Sequence, residues 1–240
     1  MSDSLHLPEY ETYDDLIACE AWQAGLQDLN AHLAVSLTDA GQATELNGNL
    51  FYEHLDADFR SSGLTPRFDG KRRNLFKLAR ASEHMFEVGV NGGHSLYLAL
   101  SANPKLRVTG VDICKQVQPS WGRVDIYVPA AFEWLNNNFP GRCTFIAGNS
   151  LVELPRYVEE DPGEKVDLLH LDGAKNTHLR EFLAIRPLMS KGAFLLQDDT
   201  NTRPVRQSMR QILKLGFATR ADTDEIGLLD IPGHKVLVVK

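Results

Sequence analysis

The sequence has little cysteine, no excess of positive charge and no long apolar run. Its 240 residues include three cysteines, and the wide spacing of Cys19, Cys114 and Cys143 indicates neither a disulfide framework nor a CxxC zinc site. The net charge of −7 disfavours nucleic-acid binding, which needs a basic surface. No apolar run approaches the length of a membrane span, and the N-terminus lacks the basic start and apolar core of a signal peptide. We therefore expect a cytoplasmic protein without a nucleic-acid or membrane partner.

The first 80 residues have helical patterns. Apolar residues recur at steps of three and four from Trp22 to Leu37, which predicts a helix that ends near Gly41. A second helix is predicted over residues 71–80, with Leu75 and Leu78 facing inward. Its basic residues are interpreted as a solvated face: Lys71, Arg72, Arg73, Lys77 and Arg80. We predict residues 1–80 to be a helical segment that caps a substrate or packs on the domain formed by residues 81–240.

The remainder of the chain alternates between strand-length apolar runs and helical patterns. The predicted strands are His84–Val90, Leu106–Asp112, Cys143–Ala147, Val166–Asp172 and Ala193–Asp198. This order predicts an α/β fold with a mostly parallel sheet and helices on both faces. Two later runs, Phe217–Ala221 and Lys235–Val239, have no helix between them, which favours an antiparallel end. Helix starts are predicted near Pro129 and, from a capping-box pattern, at Ser150.

A glycine-rich turn follows the first predicted strand, in the segment FEVGVNGGHS from Phe86 to Ser95. Its glycines let the backbone approach a ligand, and the helix that follows offers free N–H groups to an anion. Asp112 ends the next strand, where it can accept hydrogen bonds from two ribose hydroxyls. The spacing is not G-x-G-x-x-G, so the turn is a poor cradle for a dinucleotide pyrophosphate. The pattern therefore predicts a different adenosine-containing cofactor.

Aspartates also end the fourth and fifth predicted strands. The carboxyl ends of parallel strands share one edge of a sheet, where ligands bind. If the strands that end at Asp172 and Asp198 are neighbours, they lie about 4.8 Å apart and their carboxylates can converge on one hard cation. Asp199 adds a third oxygen donor. The predicted metal ligands are thus Asp172, Asp198 and Asp199.

The motif E-x-G-x-x-x-G-x-S, formed by Glu87, Gly89, Gly93 and Ser95, resembles the first motif of class I S-adenosylmethionine-dependent methyltransferases. The form of the motif is similar to that of the cation-dependent O-methyltransferase branch. The resemblance implies a Rossmann-like methyltransferase sheet, S-adenosylmethionine as cofactor and Mg²⁺ as metal. It also implies that Ser95 touches the cofactor carboxylate. The cofactor-binding residues predicted from these motifs are Glu87, Gly89, Asn91, Gly93, Ser95, Asp112, Asn149 and Ser150, the last two in the segment that contacts adenine.

A second block, LHLDGAKNTH from Leu169 to His178, extends the resemblance. In the cation-dependent enzymes a metal-binding aspartate follows the fourth strand, and a lysine three residues later is the general base. Asp172 and Lys175 match that spacing, which implies that Lys175 is catalytic. The adjacent pair Asp198-Asp199 is most similar to that of the antibiotic-sugar and macrolide O-methyltransferases. Ala174 departs from the catechol enzymes, which have a tryptophan beside the adenine.

These features predict Mg-assisted methyl transfer to a hydroxyl of a small molecule. Three alternatives stay open: a metal-independent methyltransferase that acts on another atom, a nicotinamide-dependent oxidoreductase, and a catalytically silent cofactor-binding protein. The oxidoreductase is disfavoured by the glycine spacing and by the lack of an evident Tyr-x-x-x-Lys pair. Single residues also have plainer readings: Lys175 as a loop lysine paired with Asp172, and His170 as a hydrogen-bonded core residue. The acceptor and the oligomeric state stay open, with a homodimer among the options.

Overall fold

The computed structural model of the chain describes residues 5, 7–54, 59–60, 62–160 and 163–240. Part of the stretch on which the signal-peptide prediction depends, residues 1–4 and 6, lies outside these ranges. The α-helices are α1 Tyr13–Ala18, α2 Glu20–Asp39, α3 Asp69–Arg80, α4 His94–Ala102, α5 Val124–Asn138, α6 Ser150–Glu159, α7 His178–Ile185 and α8 Arg203–Lys214. Short 3₁₀ turns occur at Pro66–Phe68 and Arg186–Leu188.

The strands form one 7-stranded sheet in the order β3-β2-β1-β4-β5-β7-β6. Their bounds are β1 His84–Val88, β2 Arg107–Asp112, β3 Cys143–Ala147, β4 Val166–Leu171, β5 Met189–Asp198, β6 Ala218–Arg220 and β7 His234–Val239. Strands β1, β2, β4 and β5 pair in parallel, and β7 is antiparallel to both β5 and β6. The predicted mostly parallel sheet with an antiparallel end is confirmed.

The described residues group into two compact units. The first comprises Met1–Arg80, Val90–Lys105 and Cys114–Cys143, and the second comprises Ala81–Gly89, Leu106–Ile113 and Thr144–Lys240. The first unit contains α1 to α5, among which α2 packs on α5 and α3 packs on α4. The functional division predicted at residue 80 stays a prediction, because segments beyond that position belong to both units.

The second unit consists of the sheet with α6, α7 and α8. Its central strands β1 and β4 are buried along nearly their whole length, as expected for parallel strands covered on both faces. Leu169, Leu171 and Leu195 are fully buried in its core, together with Phe182 and Ile185 from α7. Helix α8 carries its exposed arginines on one side and buries Val205 and Ile212 on the other. The burial of apolar side chains therefore determines which face of α7 and of α8 is directed to the core.

Two local predictions are wrong, and a third is right only in part. Pro129 lies inside α5 rather than in its first turn. Helix α6 begins at Ser150, as predicted, but its N-cap is Asn149, whose side chain accepts a hydrogen bond from the Leu151 N–H at 3.0 Å. Arg72 is not part of a solvated face, because it is buried in the first unit and donates hydrogen bonds to the carbonyl oxygens of Leu50 and Thr65. The Arg72 guanidinium is thus hydrogen-bonded to backbone inside the first unit.

Among the described residues, no helix combines the length and the apolar composition that a membrane crossing requires.

Candidate active site

The turns at the carboxyl ends of the central strands are tied to each other by backbone hydrogen bonds within the second unit. The N–H of Gly89 donates to the carbonyl of Val111 at 2.9 Å, and that of Asp172 donates to the carbonyl of Val88 at 3.0 Å. Gly89 has a φ of 91° and faces Gly173, so a Cβ at position 89 would lie 2.7 Å from the Gly173 nitrogen. Only glycine fits here, because both the backbone conformation and the close approach exclude a side chain.

Asp112, Asn149 and Ser150 lie at the ends of β2 and β3 in the same unit. Gly148, which leads into the α6 cap, donates its N–H to the Asp112 carbonyl at 2.8 Å, so the two strand ends are held side by side. Asp112 is half-buried and Asn149 is exposed. The Ser150 hydroxyl donates to a carboxylate oxygen of Glu181 on α7 at 2.6 Å. These predicted ribose and adenine contacts therefore share one edge of the sheet.

The remaining residues of the glycine turn belong to the first unit. Gly93 has a φ of 76° and is the N-cap of α4, where Ser95 is half-buried in the first turn. Asn91 also has a positive φ, 52°. Its side-chain amide donates to the carbonyls of Asn47 and Gly48, at 3.3 and 3.0 Å. Asn91 is thus engaged with the chain segment before α3, which its position in the motif did not predict.

His94, which directly follows the turn, is a buried structural residue of the first unit. Its Nε2 lies 2.9 Å from the Asn30 side-chain oxygen, and its Nδ1 lies 3.2 Å from the Asn49 side-chain nitrogen. Burial lowers the pKa of His94 to about 3. The imidazole is therefore neutral at physiological pH and bridges α2 to the segment around Asn49.

Lys175 lies between two of the predicted metal ligands in the second unit. Its ammonium nitrogen is 3.0 Å from Asp172 Oδ1 and 2.7 Å from Asp199 Oδ2. About a third of each of these side chains is exposed, so the cluster is open to solutes. Although burial opposes the charge, the carboxylates of Asp172 and Asp199 raise the pKa of Lys175 above its usual value. In this arrangement Lys175 is a protonated ion-pair partner, and its role as a base stays a prediction.

The third predicted metal ligand, Asp198, is buried behind this cluster. Its Oδ2 lies 3.3 Å from His170 Nε2, and its Oδ1 lies 3.0 Å from His234 Nδ1. The other nitrogen of His170 lies 2.6 Å from Glu87 Oε1. Glu87 and His170 are fully buried. The interpretation of His170 as a hydrogen-bonded core residue agrees with these contacts, whereas a cofactor contact of Glu87 stays a prediction.

The ionisation of His170 follows from its two carboxylate neighbours. Burial opposes a charged imidazole, but the hydrogen bonds with Asp198 and Glu87 outweigh burial and raise the pKa of His170 to about 10. A carboxylate can only accept hydrogen bonds, so both ring nitrogens of His170 act as donors. The result is a buried imidazolium between two carboxylates.

The structure brings Asp172, Lys175, Asp198 and Asp199 close together, and their role as a cation site stays a prediction. One ligating atom each of His170, Asp172 and Asp198 lies within 4.8 Å of the others. Asp199 has a φ of 56°, a strained conformation of the kind that often occurs at functional sites. His234 was missed, because nothing in its local sequence shows that β7 pairs with β5 in the register that sets His234 opposite Asp198.

His178, at the start of α7, is fully buried and neither of its ring nitrogens has a hydrogen-bond partner among the described residues. Burial lowers its pKa to about 4, and the charges of Lys175 and His170 act in the same direction. Glu181, one turn further along, is also buried, and burial raises its pKa. His178 is therefore neutral near pH 7.

Comparisons with known proteins agree with this description. A family model described as a methyltransferase domain matches residues 86–200. An O-methyltransferase from Bacillus cereus, solved in complex with SAH, has a similar structure, with a TM-score of 0.55 and 18% identity over 95% of this chain and 94% of that one. CalS11, a calicheamicin methyltransferase, has a TM-score of 0.56 and 17% identity over 96% and 99% of the two chains.

TomG from Streptomyces achromogenes, an O-methyltransferase of tomaymycin synthesis solved with SAM, has a TM-score of 0.53 and 15% identity over 89% of this chain and 90% of its own. At these identities the likeness concerns the fold. A search by sequence against curated proteins finds no match.

The burial of His178 predicts a loss of stability in acid. The ordinary pKa is 6.5 and the folded-state pKa is about 4, so the neutral side chain contributes full stability above pH 6.5, and this contribution is lost as the pH falls through 4. We expect the free energy of unfolding of the wild type to fall by about 3 kcal/mol more than that of His178→Leu between pH 6.5 and 4. Urea denaturation across this range measures the difference.

His54→Leu, which removes an exposed histidine, should keep the pH dependence of the wild type. Parallel curves for the wild type and His178→Leu would contradict the neutral, buried state of His178.

Proposed function

We propose that this chain, whose residues 86–200 match a methyltransferase domain and whose fold is similar to that of O-methyltransferases, is a class I S-adenosylmethionine-dependent enzyme that methylates a hydroxyl of a small molecule with the help of Mg²⁺. The observation that carries the proposal is the meeting of the accessible carboxylates of Asp172 and Asp199 at one positive charge. The O-methyltransferase names of the structural neighbours support oxygen as the acceptor atom.

We propose that the cofactor is held at the carboxyl edge of β1, β2 and β3. Asp112 would accept the ribose hydroxyls, and Asn149 and Ser150 would lie at the adenine. Gly89 would let its backbone approach the cofactor, and its lack of a side chain also allows the close contact with Gly173. The proposed set is completed by Glu87, Asn91, Gly93 and Ser95. Bound SAH and SAM in two of the neighbouring structures support this cofactor.

The carboxylates fit a hard divalent cation. Asp172 and Asp199 already converge on the Lys175 ammonium at 3.0 and 2.7 Å, and Asp198 brings a further oxygen close to that of Asp172. Oxygen donors of this kind are the ligands that Mg²⁺ prefers. Asp172, Asp198 and Asp199 would therefore hold the cation.

When bound, the cofactor supplies an activated methyl group and Mg²⁺ lowers the pKa of the acceptor hydroxyl. The chain must then orient that hydroxyl and remove its proton. Lys175 would do so once it has lost its own proton, and its pairing with Asp172 and Asp199, which raises its pKa, opposes that loss. Positive charges brought in with the ligands favour the neutral amine. We propose Lys175 as the general base on this ground.

One observation favours the metal-independent alternative. The Lys175 ammonium pairs with both Asp172 and Asp199, so the same carboxylates can serve a structural or substrate-binding role. The small-molecule acceptor, the lack of a nucleic-acid partner, a homodimer and a cytoplasmic location stay predictions.

The cofactor site is tested by Asp112→Ala. Loss of the ribose hydrogen bonds should cost about 1 to 3 kcal/mol and weaken SAH binding about tenfold or more, as measured by calorimetry. Asp39→Ala, which removes an exposed carboxylate at the end of α2, is the control. Equal affinities of Asp112→Ala and the wild type would refute the ribose contact.

The cation is tested with a chelator. Methyl transfer from labelled S-adenosylmethionine to a panel of catechols, phenols and sugars should vanish in excess EDTA and return with Mg²⁺, because the acceptor hydroxyl then regains its activating cation. Asp172→Asn should need more Mg²⁺ for half-maximal rate. Full turnover in excess EDTA would establish the metal-independent alternative.

The base is tested by Lys175→Ala. If Lys175 accepts the proton, the variant should bind SAH almost as the wild type does and transfer methyl groups about 10²- to 10⁴-fold more slowly. Single-turnover measurement of methyl transfer separates this step from binding. Lys191→Ala, an exposed lysine of β5, should react at the wild-type rate. A Lys175→Ala enzyme with undiminished turnover near pH 7 would rule out this base.

A further inference from the structure

A row of charged and polar side chains crosses four adjacent strands of the sheet. Glu87 on β1 is paired directly with His170 on β4. His170 is in register with Leu196 on β5, and Asp198 lies two residues further along, on the same side of that strand. Asp198 is in turn paired directly with His234 on β7. The row therefore runs sideways through the sheet, from the strand before the glycine turn to the antiparallel end.

Every contact in this row joins an imidazole to a carboxylate. The distances are 2.6 Å from Glu87 to His170, 3.3 Å from His170 to Asp198 and 3.0 Å from Asp198 to His234. The side chains are at most 2% exposed, so water does not compete for these hydrogen bonds. Asp198 consequently has each of its two oxygens held by a different imidazole, which fixes the rotation of the carboxylate.

The place of the row in an apolar sheet indicates more than a stabilising role. His170 interrupts the apolar run of β4, with Leu169 and Leu171 fully buried on either side. An apolar side chain would fill such a position at least as stably, because burying ionised groups is costly even when they are paired. What the imidazole adds is a defined orientation of Asp198, directly before Asp199 and one strand away from Asp172.

We propose that His170, braced by Glu87, is a positioning residue that orients the Asp198 carboxylate toward the divalent cation. This inference rests on the cation site proposed above. The arrangement follows the general rule that hydrogen bonds to a ligating group orient it and tune its affinity for the metal. His234 supports Asp198 from the opposite side. Glu87 then contributes to the cation site through His170, from the strand that also carries the cofactor motif.

The test is the affinity for a divalent cation in the absence of any acceptor. Titration of the 240-residue protein with Mn²⁺ in a calorimeter gives this affinity without a need for turnover. His170→Gln keeps a hydrogen-bond donor but cannot bridge both carboxylates, and we expect it to bind Mn²⁺ about 10- to 100-fold more weakly than the wild type. Mg²⁺ competition against Mn²⁺ should report the same ratio.

His84→Gln is the matched control. His84 is a buried histidine on β1 that bonds to Thr109 at 2.9 Å and to the Lys165 carbonyl at 3.1 Å, with none of the predicted metal ligands among these partners. Its substitution disturbs the same sheet but should leave the Mn²⁺ affinity within about twofold of the wild type. Urea denaturation of both variants shows whether they are destabilised to a similar extent.

The outcomes separate this inference from the proposed function. If the wild type and His170→Gln bind Mn²⁺ equally well, His170 has no positioning role, while the cation site stands. If the wild type binds SAH but no divalent cation, the cation site and this inference fail together. If His170→Gln does not fold, Glu87→Gln decides, because it removes the carboxylate that braces His170 and keeps the imidazoles of His170 and His234 beside Asp198. Unchanged Mn²⁺ affinity in Glu87→Gln would overturn the inference.

Discussion

The constraint on which the site depends is that charges buried in a hydrophobic sheet must be paired. Glu87, His170 and Asp198 meet this requirement by pairing across strands rather than along the chain, and His234 lies within hydrogen-bond distance of Asp198. Because each partner lies on a different strand, the row is complete only when β1, β4, β5 and β7 are in their native register. The positions of the polar groups at the ends of these four strands therefore depend on that pairing.

Much of the fold could be predicted because it depends on local pattern. Apolar runs of strand length with helices between them imply a parallel sheet, and the lack of a helix between the last two runs implies the antiparallel end; both were confirmed. The strand bounds differ from the predicted ones by a few residues. Strand β1 ends at Val88 rather than at Val90, and β5 begins at Met189 rather than at Ala193. Strand ends are set by pairing with neighbours, which composition does not reveal.

Only those parts of the site could be predicted whose location follows from a residue type at the end of a strand. Asp172, Asp198 and Asp199 could be placed together because neighbouring parallel strands bring their ends to one edge. The states of these groups could not be predicted, since they depend on partners that are distant in sequence. His234 reaches Asp198 through an antiparallel register, and Arg72 is satisfied by carbonyl groups of the segment before α3. Local patterns carry no information about either contact.

The side-chain hydrogen bonds of Asn91 have a consequence for motion within the first unit. Its amide bonds to the carbonyls of Asn47 and Gly48, while His94, three residues later, is hydrogen-bonded to Asn49. The start of α4 and residues 47–49 are thus fastened at three points. Segment 47–49 cannot swing away from the turn by rotation about a single bond. A displacement of residues 47–49 must either break these hydrogen bonds or move the turn as well. The two segments are therefore expected to move together.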